Sequence, residues 1–91
     1  MFVHTDLYKK AVEKFGKEHQ LIVTFGELSE CSSEIARHIL PYRVHNEQDL
    51  IDELADVCIM MAQMKVVYGE ELIKAINRKL IKLKGHIDGV G

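Results

Sequence analysis

A single proline, Pro41, interrupts this chain, and glycine is sparse until the last seven residues. Stretches without either residue favour helix, because nothing removes a backbone donor or adds backbone freedom. No segment alternates apolar and polar side chains for long enough to make a strand. The sequence therefore predicts an all-α fold of four helices.

Thr5 or Asp6 is placed to cap a first short helix, with Leu7, Ala11, Val12 and Phe15 on one side and Gly16 as its stop. A second helix is expected from about Lys17 to Leu40, where Leu21, Phe25, Leu28, Ser32, Ile35 and Ile39 recur at spacings of three and four. Pro41 ends it, since proline disfavours helix in the residue before it. Asn46 suits the N-cap of a third helix, with Glu47 and Asp49 at its positive end and Gly69 as its stop. A fourth runs from about Glu70 to Lys84, with Leu72, Ile76, Leu80 and Leu83 facing inward, and Gly85, Gly89 and Gly91 mark a frayed tail.

The third helix carries a further constraint. From Leu54 to Val67 it is apolar on nearly every side, and such a helix has to be surrounded. Three other short helices of one chain hardly suffice. A bundle completed by oligomerisation, a homodimer or homotetramer, is expected.

The 91 residues fit one domain, 1–91, and 47% apolar with 29% charged residues is too apolar for disorder. A net charge of -2 supplies no basic field for nucleic acid. The longest apolar run, Val57 to Val67, is broken by Gln63 and Lys65 and is too short to span a bilayer. Met1 to Asp6 show no secretory pattern. Cys31 and Cys58 read as reduced core thiols, so the expected location is the cytoplasm.

Two carboxylate pairs stand out. Glu27 and Glu30 lie three apart on the second helix, and Glu53 and Asp56 lie three apart on the third. Such pairs share a helix face, with Cβ atoms roughly 5–6 Å apart. If the two helices pack antiparallel across Pro41, all four acids converge. Glu53 and Asp56 sit among Leu50, Ile51, Leu54, Ala55, Val57 and Cys58, where partial burial is expected. Buried carboxylates repel one another and resist ionisation, and a hard divalent cation resolves both problems. Oxygen-only donors suit Mg2+, or Mn2+, rather than zinc. The ordinary reading of Glu27 and Glu30 is a solvated helix face.

The ordered set of motifs resembles a known family. Gly26-Glu27-Leu28-Ser29-Glu30, followed after 22 residues by Glu53-Leu54-Ala55-Asp56, is similar to the Glu-Glu-x-x-Glu and Glu-x-x-Asp signature of the MazG-like all-α nucleotide pyrophosphohydrolases. Ala11-Val12-Glu13-Lys14-Phe15-Gly16 through Gln20 looks like the lead-in of the short phage and bacterial members, and Lys79-Leu80 with Leu83-Lys84 looks like their end. The likeness covers about residues 9 to 87. It implies magnesium held by Glu27, Glu30, Glu53 and Asp56, and hydrolysis of a nucleoside triphosphate to the monophosphate and pyrophosphate. House-cleaning of non-canonical nucleotides is one role such an activity serves. Glu27 or Glu30 is implied as the group that orients or deprotonates the attacking water. Gly26 stands where the first Glu of the signature falls, as in some branches of the family, and Phe15 stands for its Trp. Stacking on a base then falls to Phe, Tyr or His.

Further candidates are weaker. His38 and Glu34 continue the face of Glu27 and are candidate phosphate or outer contacts. Lys65, within the apolar third helix, either meets phosphate or snorkels to solvent. Asn77 and Lys79 on the fourth helix are the preferred phosphate pair by analogy with the family, with Arg78 and Lys82 as surface charge. The alternatives to the leading function are a phosphoribosyl-ATP pyrophosphohydrolase and a non-catalytic helical module that binds nucleotide.

Overall fold

In the computed structural model, which describes residues 4–89, two glycines set the course of the chain. Gly16 (φ 87°) and Gly69 (φ 54°) adopt backbone conformations that side chains resist, and each donates its N–H back into the helix it ends, to Val12 and Lys65. Gly16 separates α1 (Thr5–Phe15) from α2 (Lys17–Ile39), and Gly69 separates α3 (Glu47–Tyr68) from α4 (Glu70–Ile87). Between α2 and α3, Leu40 turns extended ahead of Pro41 and the helix ends there. Asn46 then caps α3, its Oδ1 accepting the Gln48 N–H at 2.7 Å. No strand occurs among the described residues.

Two local expectations need correction. Neither Thr5 nor Asp6 caps α1: Thr5 is already helical, and His4 precedes it without a side-chain cap. Gly85 lies within α4, which runs on to Ile87, so the helix absorbs one glycine of the expected tail. The sequence readings at Met1 to Val3 and Gly91 lie outside the described residues.

The packing is asymmetric. α3 lies against both α1 and α2, and the α2–α3 pair is the most extensive, while α4 meets α3 alone. Among the described residues the buried apolar set is Cys31, Met60, Ala62 and Met64. Among them sits a polar bridge. The Gln20 amide donates to Gln63 Oε1 at 2.6 Å, Gln63 in turn donates to the Met60 sulfur, and both glutamines are buried. Thr24 returns its hydroxyl to the Gln20 carbonyl one turn back. This network fixes the register of α2 on α3, because sliding either helix strands buried donors.

The rest of the apolar surface is open. On α3, Ile51, Leu54 and Ile59 are exposed. The expected inward face of α4 is not buried within the chain: Leu72 is half-buried, and Ile76, Leu80 and Leu83 are about half exposed. The radius of gyration is 15.8 Å, against about 12 Å for a compact domain of this length. The accessible surface is 7104 Å², roughly 1,700 Å² more than a folded monomer of this mass presents. Among the described residues no helix is long and apolar enough to cross a membrane.

Candidate metal centre

The antiparallel return across Pro41 sets the middle of α2 beside the first half of α3. Glu27 and Glu30 project from one, Glu53 and Asp56 from the other. One carboxylate oxygen from each of Glu27, Glu30 and Glu53 lies within 4.8 Å of the others. Asp56 lies outside that set, near enough for its charge to act on both Glu27 and Glu53. Three of the four expected acids, Glu27, Glu30 and Glu53, therefore converge in the chain's own geometry.

Burial is uneven. Glu27 and Glu53 are half-buried, and Glu30 and Asp56 are exposed, so the partial burial expected of Asp56 is not found. Removal from water raises the Glu27 carboxyl above its ordinary value, and the charges of Asp56 and Glu30 and the Asp56 hydrogen bond add to the rise. Glu53 is raised first by its burial, then by the charges of Glu30, Asp56, Glu27 and Glu34. One oxygen of Glu27 and one of Glu53, both Oε2, are shut off from solvent with no hydrogen-bond partner. A carboxylate oxygen in that condition is destabilising unless a proton or a cation meets it. Converging oxygen donors, mutual repulsion and two orphaned lone-pair sites fit a hard divalent cation, and Glu30 and Asp56 are exposed beside them.

Glu34 belongs to this group more closely than its spacing suggested. It is half-buried, and its charge reaches Glu53. It stands one turn beyond Glu30, and that continuation of the α2 row was the only available signal.

The expected phosphate contacts are placed elsewhere. His38 is half-buried near the end of α2, with Nδ1 3.0 Å from the Glu34 carbonyl and its ring against His45. Lys65 is exposed and lines a groove of about 240 Å³ between α1 and α3, with Thr5, Tyr8, Lys9, Ala62 and Val66. It stands nine residues past Asp56, roughly 13 Å along the helix axis. Asn77 and Lys79 are exposed on α4, which has no contact with α2. Within one chain, then, no cation from α3 or α4 joins the carboxylates. Of the aromatic candidates, Phe25 and Tyr42 are exposed, and Phe15 stacks on His19 at 5.4 Å at the α1–α2 junction. Cys31 is buried, Cys58 is half-buried, and both are free thiols.

No protein-family model matches the chain, and neither does any curated protein or solved structure.

Proposed function

We propose that the chain is a magnesium-dependent nucleoside triphosphate pyrophosphohydrolase of the MazG-like type, acting as a cytoplasmic homodimer or homotetramer. The observation that carries the reading is the meeting of Glu27, Glu30 and Glu53 within 4.8 Å, with the Asp56 charge acting on Glu27 and two carboxylate oxygens buried without partners. Around that meeting stands the ordered motif set of the sequence. A bound Mg2+, or Mn2+ in its place, would supply charge neutralisation and polarise the phosphates.

The chain's own part follows from the carboxylates. Glu27, Glu30, Glu53 and Asp56 would hold the ion, with Glu30 and Asp56 exposed to solvent. Attack is on the α-phosphorus: the water oxygen bonds to it, the bond to the α–β bridging oxygen breaks, and pyrophosphate departs. Glu27 or Glu30 would orient the attacking water or take its proton.

Oligomerisation is supported by the open apolar faces of α3 and α4 and by the excess surface, which exceeds the area one partner contributes to an interface of standard size, about 800 Å². A second copy also offers a cationic element to a site that lacks one, since Asn77 and Lys79 stand away from their own chain's acids.

A screen of natural and damaged nucleoside triphosphates with magnesium, detecting pyrophosphate, tests the reading. Release of pyrophosphate and a monophosphate in equal amounts is expected for some member of the panel. Calorimetric nucleotide binding without turnover would replace it with the non-catalytic module. Turnover confined to phosphoribosyl-ATP would assign the histidine-pathway reaction instead.

A further inference from the structure

One pair of side chains lies outside the carboxylate group and has a chemistry of its own. His38 sits near the C-terminal end of α2, and His45 lies in the connection that returns past Pro41 to α3. Their ring centroids are 4.4 Å apart and their planes are tilted by 47°. His38 Nδ1 lies 3.0 Å from the Glu34 carbonyl oxygen, and His45 Nδ1 lies 3.2 Å from the Arg43 carbonyl oxygen. A carbonyl oxygen only accepts, so each Nδ1 carries the proton and donates it. In both neutral rings the Nε2 lone pair is left free. On His38 that nitrogen is shut off from solvent and has no partner.

This is the arrangement metal-bound imidazoles adopt. A ligating histidine commonly donates its second ring N–H to a backbone carbonyl or carboxylate, which fixes the tautomer and aims the other nitrogen. Both rings already meet that condition, and an exposed His45 gives an ion a way in. We propose that Nε2 of His38 and Nε2 of His45 form a second metal site, for a divalent ion of imidazole preference such as Zn2+, with water completing the coordination. It is distinct in chemistry from the oxygen-only group, since nitrogen donors select later transition metals and carboxylates select magnesium. A metal–nitrogen distance of about 2.0–2.1 Å lets one ion accept nitrogens up to about 4 Å apart. The exposed His45 ring would have to turn to bring its nitrogen into that range, giving up its 3.2 Å contact with the Arg43 carbonyl oxygen. Occupancy would tie the end of α2 to the α2–α3 connection. The proposal stands independently of the pyrophosphohydrolase reading.

Zinc is titrated into the full chain by calorimetry in excess magnesium, while the ring nitrogens of the five histidines are followed by NMR. The expected result is that the Nε2 resonances of His38 and His45 shift together, and those of His4, His19 and His86 stay in place. His38→Ala and His45→Ala should each weaken zinc binding by about tenfold or more, and Asp56→Asn should leave it unchanged. Because His45 is exposed in a connection, its variant tests the site even if His38→Ala fails to fold. Absence of zinc uptake, unaltered binding in His45→Ala, or loss of binding in Asp56→Asn would overturn the proposal.

Discussion

Asp56 is the exposed member of a group whose other α3 member, Glu53, is half-buried, and this difference separates their roles. Glu53 and Glu27 carry the unpartnered oxygens that ask for a cation. Asp56 is exposed and, in the proposed site, would complete the coordination of the ion. Asp56→Asn removes one negative donor without disturbing packing. Pyrophosphate release should fall by about 100-fold or more with the helical circular dichroism unchanged, a loss of two decades being modest for a Lewis-acid site. The raised carboxyls have a consequence for stability. Because Glu27 and Glu53 hold protons above the ordinary value of 4.5, the folded chain keeps protons that the unfolded chain has released. Their contribution therefore worsens as pH rises from 4.5 through the folded values, and the fold is relieved as pH falls. In chelator, Glu53→Gln should raise the melting temperature by a few degrees at about pH 7.5 and by less near pH 4.5. Magnesium should stabilise the wild type at the higher pH and not the variant. A variant that melts below wild type in chelator at both pH values would contradict this account of the group.

At the scale of elements, α2 and α3 make the site, and most of what defines them is local. Pro41, Asn46, Gly16 and Gly69 punctuate the chain where elementary backbone chemistry requires, so four helices were legible in the sequence to within a few residues. The meeting of Glu27, Glu30 and Glu53 was legible for the same reason: i,i+3 pairs on two helices joined by a short turn have few other arrangements. What was not legible depended on contacts between elements. The Gln20–Gln63 bridge has no spacing rule, because its partners lie 43 residues apart. His45 lies in the connection and reaches His38 only through the particular course of the chain after Pro41. The end of α4 was misplaced because one glycine costs a helix only about 1 kcal/mol, too little to stop it at Gly85. Two stability changes follow. Gln63→Leu leaves the buried Gln20 amide without its acceptor and should cost about 1–3 kcal/mol in denaturant unfolding. Gly26 lies inside α2 at negative φ, and a Cβ there meets nothing within 4 Å. Gly26→Ala should therefore stabilise by about 0.4–1 kcal/mol. A destabilised Gly26→Ala would mean that a neighbouring copy occupies that space.

At the scale of the molecule, the chain has too little interior for its apolar content. Two of its four helices, α1 and α4, bury no residue fully, and α4 stands against α3 alone. Small-angle scattering should give a particle of two or four copies, and Ile76→Glu with Leu80→Glu should shift it toward monomer. A lone chain with the 15.8 Å radius in solution would contradict the oligomeric reading. The proposed function depends on a cation bound where α2 meets α3. Manganese added to the metal-free protein and followed by electron paramagnetic resonance tests this most directly. One ion per chain is expected, displaced by magnesium and weakened by about tenfold or more in Glu53→Gln. Unaltered binding in that variant, or no uptake even with a nucleoside triphosphate present, would contradict it.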